Sequence, residues 1–302
     1  MAKISPKQVK ELNKLLLGKS ISITKAGSIA KRINSSGGNA RLYAVELFLS
    51  PEFLKISRNA AMEFHLYYAH HARLQLVSSL LPPAKRIVDL GGANGSVYEM
   101  GYPHDFEEII VVDLPPDSRD PMYKELKLKP KKTPQGKIRV HFGDMSDLSF
   151  LDDNSVDLVW AGESIEHIDE EAGELMIREA YRVLKPGGSF SLDTPNRLIT
   201  QIHTSGFIHP EHKLEYYPKQ IKSVLRKCGF KIVEQRGVRD MPRTHATKVF
   251  HYQDYVLGNP LPSSIESAYM QYYRCVKPLP IRHRIAVKRR LSGLRNLTRP
   301  KK

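Results

Sequence analysis

The segment Asp89-Leu90-Gly91-Gly92-Ala93-Asn94-Gly95 decides the fold. It follows the apolar run Arg86–Leu90 and precedes Val97 and Tyr98, so it marks a strand turning into a helix. Glycines there permit a tight turn and let a ligand come close to the backbone. Further apolar runs follow at Glu108–Asp113, Ile138–Phe142, Val156–Ala161, Ser189–Asp193 and Phe230–Val238. Between them lie helical patterns. Asp169–Leu184 places Ala172, Leu175, Met176, Ala180, Val183 and Leu184 on one face and stops at Lys185-Pro186-Gly187. Pro218–Lys227 starts on a proline and ends before Gly229. Unbroken apolar strands alternating with helices predict an α/β fold: a doubly wound, mostly parallel sheet covered on both faces. Such sheets bind ligands at the carboxyl ends of their strands.

The glycine spacing narrows the ligand. A dinucleotide loop, GxGxxG, would need glycines at 91, 93 and 96, and this chain has Ala93 and Ser96. A P-loop needs a terminal Gly-Lys-Ser/Thr, which does not occur here. The pattern resembles the acid-x-Gly-x-Gly-x-Gly loop of class I S-adenosylmethionine-dependent methyltransferases. Asp89, Gly91 and Gly95 are in place and Ala93 replaces the middle glycine. Later strand ends extend the resemblance over roughly residues 84–238. Asp113 closes the second strand, where a carboxylate can accept both ribose hydroxyls. Gly143-Asp144-Met145 closes the third. The resemblance gives Asp144 the adenine amino group and Met145 the ring, which a thioether suits. Ala161-Gly162-Glu163-Ser164-Ile165-Glu166-His167 follows the fourth strand, where the family closes over the methionine part of the cofactor. The resemblance therefore implies a Rossmann-like fold with S-adenosyl-L-methionine held by Asp89, Gly91, Gly92, Gly95, Asp113, Asp144, Met145, Gly162 and Glu163.

Glu163, Glu166 and His167 are spaced i, i+3 and i+4, which would put all three on one face of a helix. Downstream lies His209-Pro210-Glu211-His212. This order is similar to small-RNA 2′-O-methyltransferases and quinone-pathway O-methyltransferases, in which a later histidine completes a metal site; His212 is the closest match. It is equally similar to metal-free methyltransferases of sugar and cell-surface glycan pathways. His167 and His212 are the catalytic candidates, as bases or as ligands.

Residues 1–83 read as a helical N-terminal cap, 84–252 as the cofactor-binding domain and 253–302 as an extension with a basic tail. Within the cap, Pro6 begins a helix carrying Val9, Leu12, Leu15 and Leu16. Residues 18–40 are polar, with Ser35-Ser36-Gly37-Gly38 as a joint, and a second helical region spans Tyr43 to Leu81 with a break near Pro51. Its stretch Phe64–Arg73 suits packing of Leu66, Tyr67 and Leu74, and the resemblance allows Arg73 to meet the cofactor carboxylate. Tyr252, Tyr255, Tyr269, Tyr272 and Tyr273 are expected to line an acceptor cleft.

The net charge of +15 sits at the ends. Residues 1–41 carry net +8 and residues 282–302 net +9, which leaves about −2 for the 240 residues between. A body without excess charge disfavours a catalytic face that grips a polyanion. The expected acceptor is a small molecule or glycan methylated on oxygen. RNA held by the basic ends is the alternative, and a non-catalytic binding module is disfavoured by the intact acids Asp89, Asp113 and Asp144. The tail places Val287, Leu291 and Leu294 on one stripe, which suits an anionic membrane surface. Cys228 and Cys275 read as free thiols, no run is long enough to span a membrane and no cleavable leader pattern opens the chain. A cytoplasmic protein, peripheral to a membrane at most, is expected.

Overall fold

Side chains along the central strands alternate between two cores. In β1 (Arg86–Leu90) and β2 (Glu108–Asp113), Val88, Leu90, Ile110 and Val112 pack on one face of the sheet, while Ile87, Ile109 and Val111 pack on the other. Both faces are therefore apolar, as a sheet covered by helices on each side requires. The computed structural model describes residues 3–17, 20–48, 50, 71–93, 96–118 and 129–280. They belong to two units, Met1–Tyr67 and Tyr68–Lys302.

In the first unit, helices α1 (Pro6–Leu17), α2 (Ile23–Ser35) and α3 (Ala40–Phe48) bury Val9, Leu17, Ala26, Ala30, Ile33, Tyr43 and Leu47 together. The polar stretch 18–40 is thus mostly helix, which corrects the sequence reading. Ser22 caps α2 by accepting from the Lys25 amide, and Ala26, Ala30 and Ile33 supply its short buried stripe. Three small or single apolar positions in thirteen residues were too few to register as a periodic pattern.

The second unit begins, among described residues, with a helix over 71–80, here α4. The remaining elements are α5 (Ser96–Glu99), β3 (Lys131–Lys132), β4 (Lys137–Phe142), β5 (Val156–Gly162), α6 (Glu170–Val183), β6 (Leu184–Pro195), α7 (Arg197–His203), α8 (Pro218–Lys227), β7 (Lys231–Asp240), α9 (Pro242–Thr247), α10 (Gln253–Leu257) and β8 (Ala268–Val276). The sheet runs β3-β4-β2-β1-β5-β6-β8-β7. Neighbours from β4 to β6 are parallel, and β8 lies antiparallel between β6 and β7. The doubly wound, mostly parallel expectation holds. The sheet extends past residue 252, because β8 pairs along its whole length on both sides; the units divide near residue 67 and not at 83. Strand β8 also corrects the cleft reading of the tyrosines: Tyr269, Tyr272 and Tyr273 are buried within the sheet, Tyr255 is buried beneath it, and Tyr252 is half-buried.

Helix α6 is capped by Asp169, which accepts from the Ala172 amide, and places Met176, Ile177, Ala180 and Val183 in the first core. Helix α8 adds Ile221 and Leu225 there; α4 adds Leu76 and Val77 to the second core. Strand order reverses between β1 and β5, so the crevice lies at their carboxyl ends. Strand β7 runs parallel to β6, since both oppose β8. The connections after β6 (residues 196–217) and after β7 (residues 241–267) therefore leave from that same ligand-binding edge. No helix among the described residues is long and apolar enough to cross a membrane.

Asn196 ties these connections together. Fully buried, it accepts from the Leu198 amide as the N-cap of α7 and donates through Nδ2 to Ile265 O at 2.8 Å and Ala268 O at 2.9 Å. Replacement by alanine strands two buried carbonyls and removes a cap, so Asn196→Ala should lower the unfolding free energy by about 2–4 kcal/mol. Urea unfolding with an unchanged m-value is the measurement, and a loss under 1 kcal/mol would mean that water replaces the amide.

Candidate active site at the carboxyl ends of the strands

The glycine loop is built around Asp89. Its carboxylate is fully buried and accepts from the Val97 amide at 3.0 Å, pinning the start of α5. A side chain at Gly92 would put Cβ 2.4 Å from the Asp89 carboxyl carbon, so only glycine fits over it. Gly91 has φ +63, and a Cβ there would fall 2.7 Å from Ser164 Cβ and 3.7 Å from Met145 Sδ. The loop thus touches the segments that follow β4 and β5. Asp89 acts on the loop from beneath, and Gly95 lies outside the described residues.

Asp113, at the end of β2, accepts from the Ala93 amide at 2.7 Å and from the Leu114 amide at 2.7 Å. Ala93 itself sits at φ +46, the conformation that a glycine at the middle motif position would adopt without strain. Asp144 is exposed and accepts from the Ser146 amide and hydroxyl at 2.8 and 2.7 Å. Met145 is half-buried against the first core. The two acids therefore stand at successive strand ends, each fixed by a local hydrogen bond.

The carboxyl end of β5 carries the densest chemistry. Arg73 of α4 is buried and bonds Asp193 of β6 bidentately, Nε to Oδ2 at 2.6 Å and Nη2 to Oδ1 at 3.3 Å. Burial works against the Arg73 charge, but Asp193 and Glu163 outweigh it and its pKa is raised. Gly162 makes room for this guanidinium: a Cβ there would lie 2.3 Å from Nη2 and 2.5 Å from the Trp160 ring. Glu163 follows in the left-handed region, φ +51, with its amide held by Asp193 O at 2.9 Å. Such strain in a non-glycine residue persists only where surroundings impose it, and it concentrates at functional sites. Burial pushes the Glu163 carboxyl up to about 8; Arg73 pulls the other way, and Asp193 and Glu215 add to the rise.

The stretch 163–167 is not an α-helix. Ile165–His167 is one 3-10 turn. Glu163 precedes this turn in the left-handed region and so shares no α-helical face with Glu166 and His167, which corrects the single-face expectation, while its carboxyl still neighbours that of Glu166. Glu166 is fully buried, with Oε2 accepting from Thr194 Oγ1 at 2.9 Å and its carbonyl taking the Lys213 and Leu214 amides. Burial, then the neighbouring Glu163, raises its pKa well above the ordinary carboxyl value. The His167 ring meets that of His212 edge-on at 4.9 Å and lies 6.0 Å from that of His209. Burial and the two other histidines depress His167 to about 4, so it is neutral at pH 7. His212 Nδ1 bonds Glu215 Oε1 at 2.9 Å. Burial pushes the Glu215 carboxyl up, but bonds from His212, Thr200 and the Ile208 amide outweigh it and hold the group below its usual value.

Glu166, His167 and His212 offer ligand atoms that all lie within 4.8 Å of one another. This is a geometry a divalent cation fits, with neutral imidazole and a carboxylate oxygen, Glu166 Oε1, that has no other partner. More telling is where unsatisfied polar atoms fall. Trp160 Nε1, Glu163 Oε1, Ser164 Oγ and Glu166 Oε1 are all buried without a hydrogen-bond partner. Four such atoms within seven residues is a concentration native interiors avoid unless a ligand or ion completes them. The S-adenosylmethionine site named from the sequence fits this test: the glycine cradle, the two strand-end acids and the orphan Glu163 oxygen, suited to a cationic amine, adjoin through the contacts of Gly91 with Ser164 and Met145. Sequence reasoning missed Asp193, Trp160, Ser164 and Glu215. Arg73, which the resemblance allows to meet the cofactor carboxylate, pairs with Asp193, and Leu74 is exposed where packing was expected; Leu66 and Tyr67 lie outside the described residues.

Residues 88–192 match the family described as "Methyltransferase domain". A Mycolicibacterium smegmatis protein named "Probable S-adenosylmethionine-dependent methyltransferase" is 31% identical over 102 residues, 34% of this chain and 38% of that protein. A Mycobacterium tuberculosis protein of the same description is 30% identical over 137 residues, 43% of this chain and 49% of that protein. The chain thus spans less than half the length of these curated relatives. A solved SAM-dependent methyltransferase from Thermotoga maritima is 19% identical with a TM-score of 0.49, covering 71% of this chain and 91% of that one. Residues 88–192 thus match a methyltransferase domain, and the curated relatives that share this stretch are named as S-adenosylmethionine-dependent.

The raised Glu163 pKa sets a pH signature. In the unfolded chain the group ionises near 4.5, in the folded ligand-free protein near 8, so its ionisation costs stability increasingly as pH rises through that window. Glu163→Gln removes this slope. The melting temperature of the variant relative to the parent should climb between pH 4.5 and 8 and level off above. A difference independent of pH would show that Glu163 ionises normally.

Proposed function

We propose that the protein transfers the methyl group of S-adenosylmethionine to an oxygen of a glycan, an activated sugar or another small metabolite. The observation that carries this reading is the cluster of unpartnered buried polar atoms at Trp160, Glu163, Ser164 and Glu166, beside the glycine loop and next to a histidine pair. The near-neutral charge of residues 42–281 favours a small or weakly charged acceptor over a polyanion.

S-adenosylmethionine supplies an electrophilic methyl on a sulfonium, so the protein must orient an acceptor and take away one proton. Asp89 fixes the loop, and Gly91 and Gly92 let it close over Asp89 and against Ser164. Asp113 and Asp144 would receive polar hydrogens of the nucleoside, and the Glu163 carboxylate would offset the charge of the amino-acid end. His212 is the base. Glu215 accepts from Nδ1–H, which leaves Nε2 as the nitrogen that would receive the hydroxyl proton as the acceptor oxygen bonds the methyl, the methyl–sulfur bond breaks and S-adenosylhomocysteine leaves. His167, kept neutral by burial, packs against that ring without competing for the proton.

This assignment is testable with labelled cofactor against glycan, lipid and RNA fractions. His212→Ala should lower kcat/KM by about 10²–10⁴ on the productive fraction, with S-adenosylhomocysteine affinity unchanged in calorimetry. Glu215→Gln should shift the pH-rate profile while leaving the fold intact. Activity retained in His212→Ala removes this residue from the chemistry.

A second reading rests on the convergence of Glu166, His167 and His212. In it a divalent cation on these three groups activates the acceptor hydroxyl, including the 2′-hydroxyl of an RNA. Chelation separates the two. Under the leading reading, activity persists after exhaustive EDTA treatment; under the second it vanishes and returns with Mn²⁺ or Mg²⁺.

A further inference from the structure

The connection after β7 combines position and surface chemistry that the methyl-transfer site leaves unused. Among the described residues of the second unit, the three most exposed large apolar side chains are Leu257 at 77%, Val249 at 60% and Val256 at 52%. All three fall within nine residues, on α10 and the loop before it. Elsewhere exposed apolar residues are scattered, which is normal for a soluble surface; their concentration here is not. The inward side of the same segment is well anchored. Tyr255 is buried, Phe250 stacks on His203 at 4.0 Å between ring centres, and Asp254 accepts from the Thr244 amide and hydroxyl at 2.9 and 2.8 Å. The outward side is thus a fixed feature, with Val256 and Leu257 following two buried positions of a short helix.

Charge specifies what covers it. Residues 241–258 hold three charged side chains: Arg243 and Lys248 are exposed, and Asp254 is buried. Arg243 bonds the neutral Gln253, so its charge is not cancelled there. Exposed aliphatic groups flanked by uncancelled cations suit an anionic bilayer, where apolar groups enter the acyl boundary and each cation strengthens attachment about fivefold. Topology adds the reason: this connection leaves from the same sheet edge as the cofactor loop, so a bilayer resting on it would bring the acceptor side of the enzyme to lipid level.

We infer that residues 241–258 are an interfacial anchor that seats the protein on anionic lipid, with an acceptor carried by that surface. The acceptor clause rests on the methyl-transfer reading; attachment itself is measurable without turnover. Trp160 is the chain's single tryptophan and is fully buried, so Leu257→Trp introduces a clean surface probe. Emission of the full-length Leu257→Trp protein should shift blue with phosphatidylcholine–phosphatidylglycerol vesicles and stay unshifted with phosphatidylcholine alone or with RNA. In co-sedimentation, the double variant Val256→Asp/Leu257→Asp should pellet about tenfold less than the parent on the anionic vesicles, while binding S-adenosylhomocysteine as the parent does, which certifies its fold. Anionic vesicles that pellet parent and double variant equally, or that leave the probe unshifted, overturn the anchor, as does a blue shift with RNA alone. Loss of S-adenosylhomocysteine binding in the parent would instead strike the methyl-transfer reading and leave the vesicle result standing.

Discussion

The buried bidentate pair between Arg73 and Asp193 is the interaction on which the site depends. Two charges taken out of water recover their hydration only through close geometry and extra bonds, and breaking such a pair from one side typically costs about 3–5 kcal/mol. Here the pair also dictates its neighbours. The guanidinium occupies the space of a side chain at residue 162, so β5 must end in glycine. The Asp193 carbonyl holds the Glu163 amide, which forces the chain into a left-handed turn. That turn removes Glu163 from the face shared by Glu166 and His167. The ion pair between α4 and β6 and the left-handed turn at Glu163 thus stand side by side at residues 162 and 193, next to the Glu166–His167–His212 group.

Asymmetry between these groups follows from hydrogen bonding and not from residue type. Burial raises all three glutamates, Glu166 and Glu215 wholly enclosed and Glu163 through its carboxyl end, yet two end raised and one lowered. Glu215 receives hydrogen bonds from His212, Thr200 and the Ile208 amide, enough to keep its charge. Glu166 has one strong donor and Glu163 keeps an unpartnered oxygen. A carboxylate that orients a histidine should be ionised, and one that waits for a cationic ligand gains from being uncharged until the ligand arrives.

Sequence carried the fold where the signal was local. Strands β1, β2 and β5 are short, largely apolar runs, β4 alternates Ile138, Val140 and Phe142 with polar residues, and Pro218 and Gly229 bracket α8, so their limits could be read within a residue or so. Helix α2 escaped because its buried stripe consists of two alanines and one isoleucine. Strand β8 escaped because Ala268–Val276 is buried on both faces while containing Tyr, Gln and Arg, a composition that reads as a polar aromatic cover. The glycine loop after β1 and the places of Asp113 and Asp144 at strand ends were legible as a spacing. Asp193 and Arg73 were not: they lie 120 residues apart, and their pairing is a property of tertiary packing. The i, i+3, i+4 spacing of Glu163, Glu166 and His167 misled for the same reason, since the helix it presumes is overridden by the turn at Glu163.

Strand β8 explains why the acceptor side is built from so much of the chain. Were β7 joined to β6 directly in antiparallel fashion, its exit would fall at the opposite edge of the sheet. Because β8 is inserted between them and runs backwards, β6 and β7 both end at the cofactor edge. Two long connections must then share that edge. Buried amides hold them there: Asn196 joins the start of α7 to the entry of β8, and Gln271 of β8 donates to Pro195 O at 3.0 Å and Tyr216 O at 2.7 Å. The histidines at 209 and 212, the Glu215 partner and the apolar tip at 256–257 are all carried on these connections. Under the proposed function, acid-base chemistry and the surface that meets the acceptor are consequently set by one strand's direction, and the glycine-loop half of the sheet can stay constant while the connections vary.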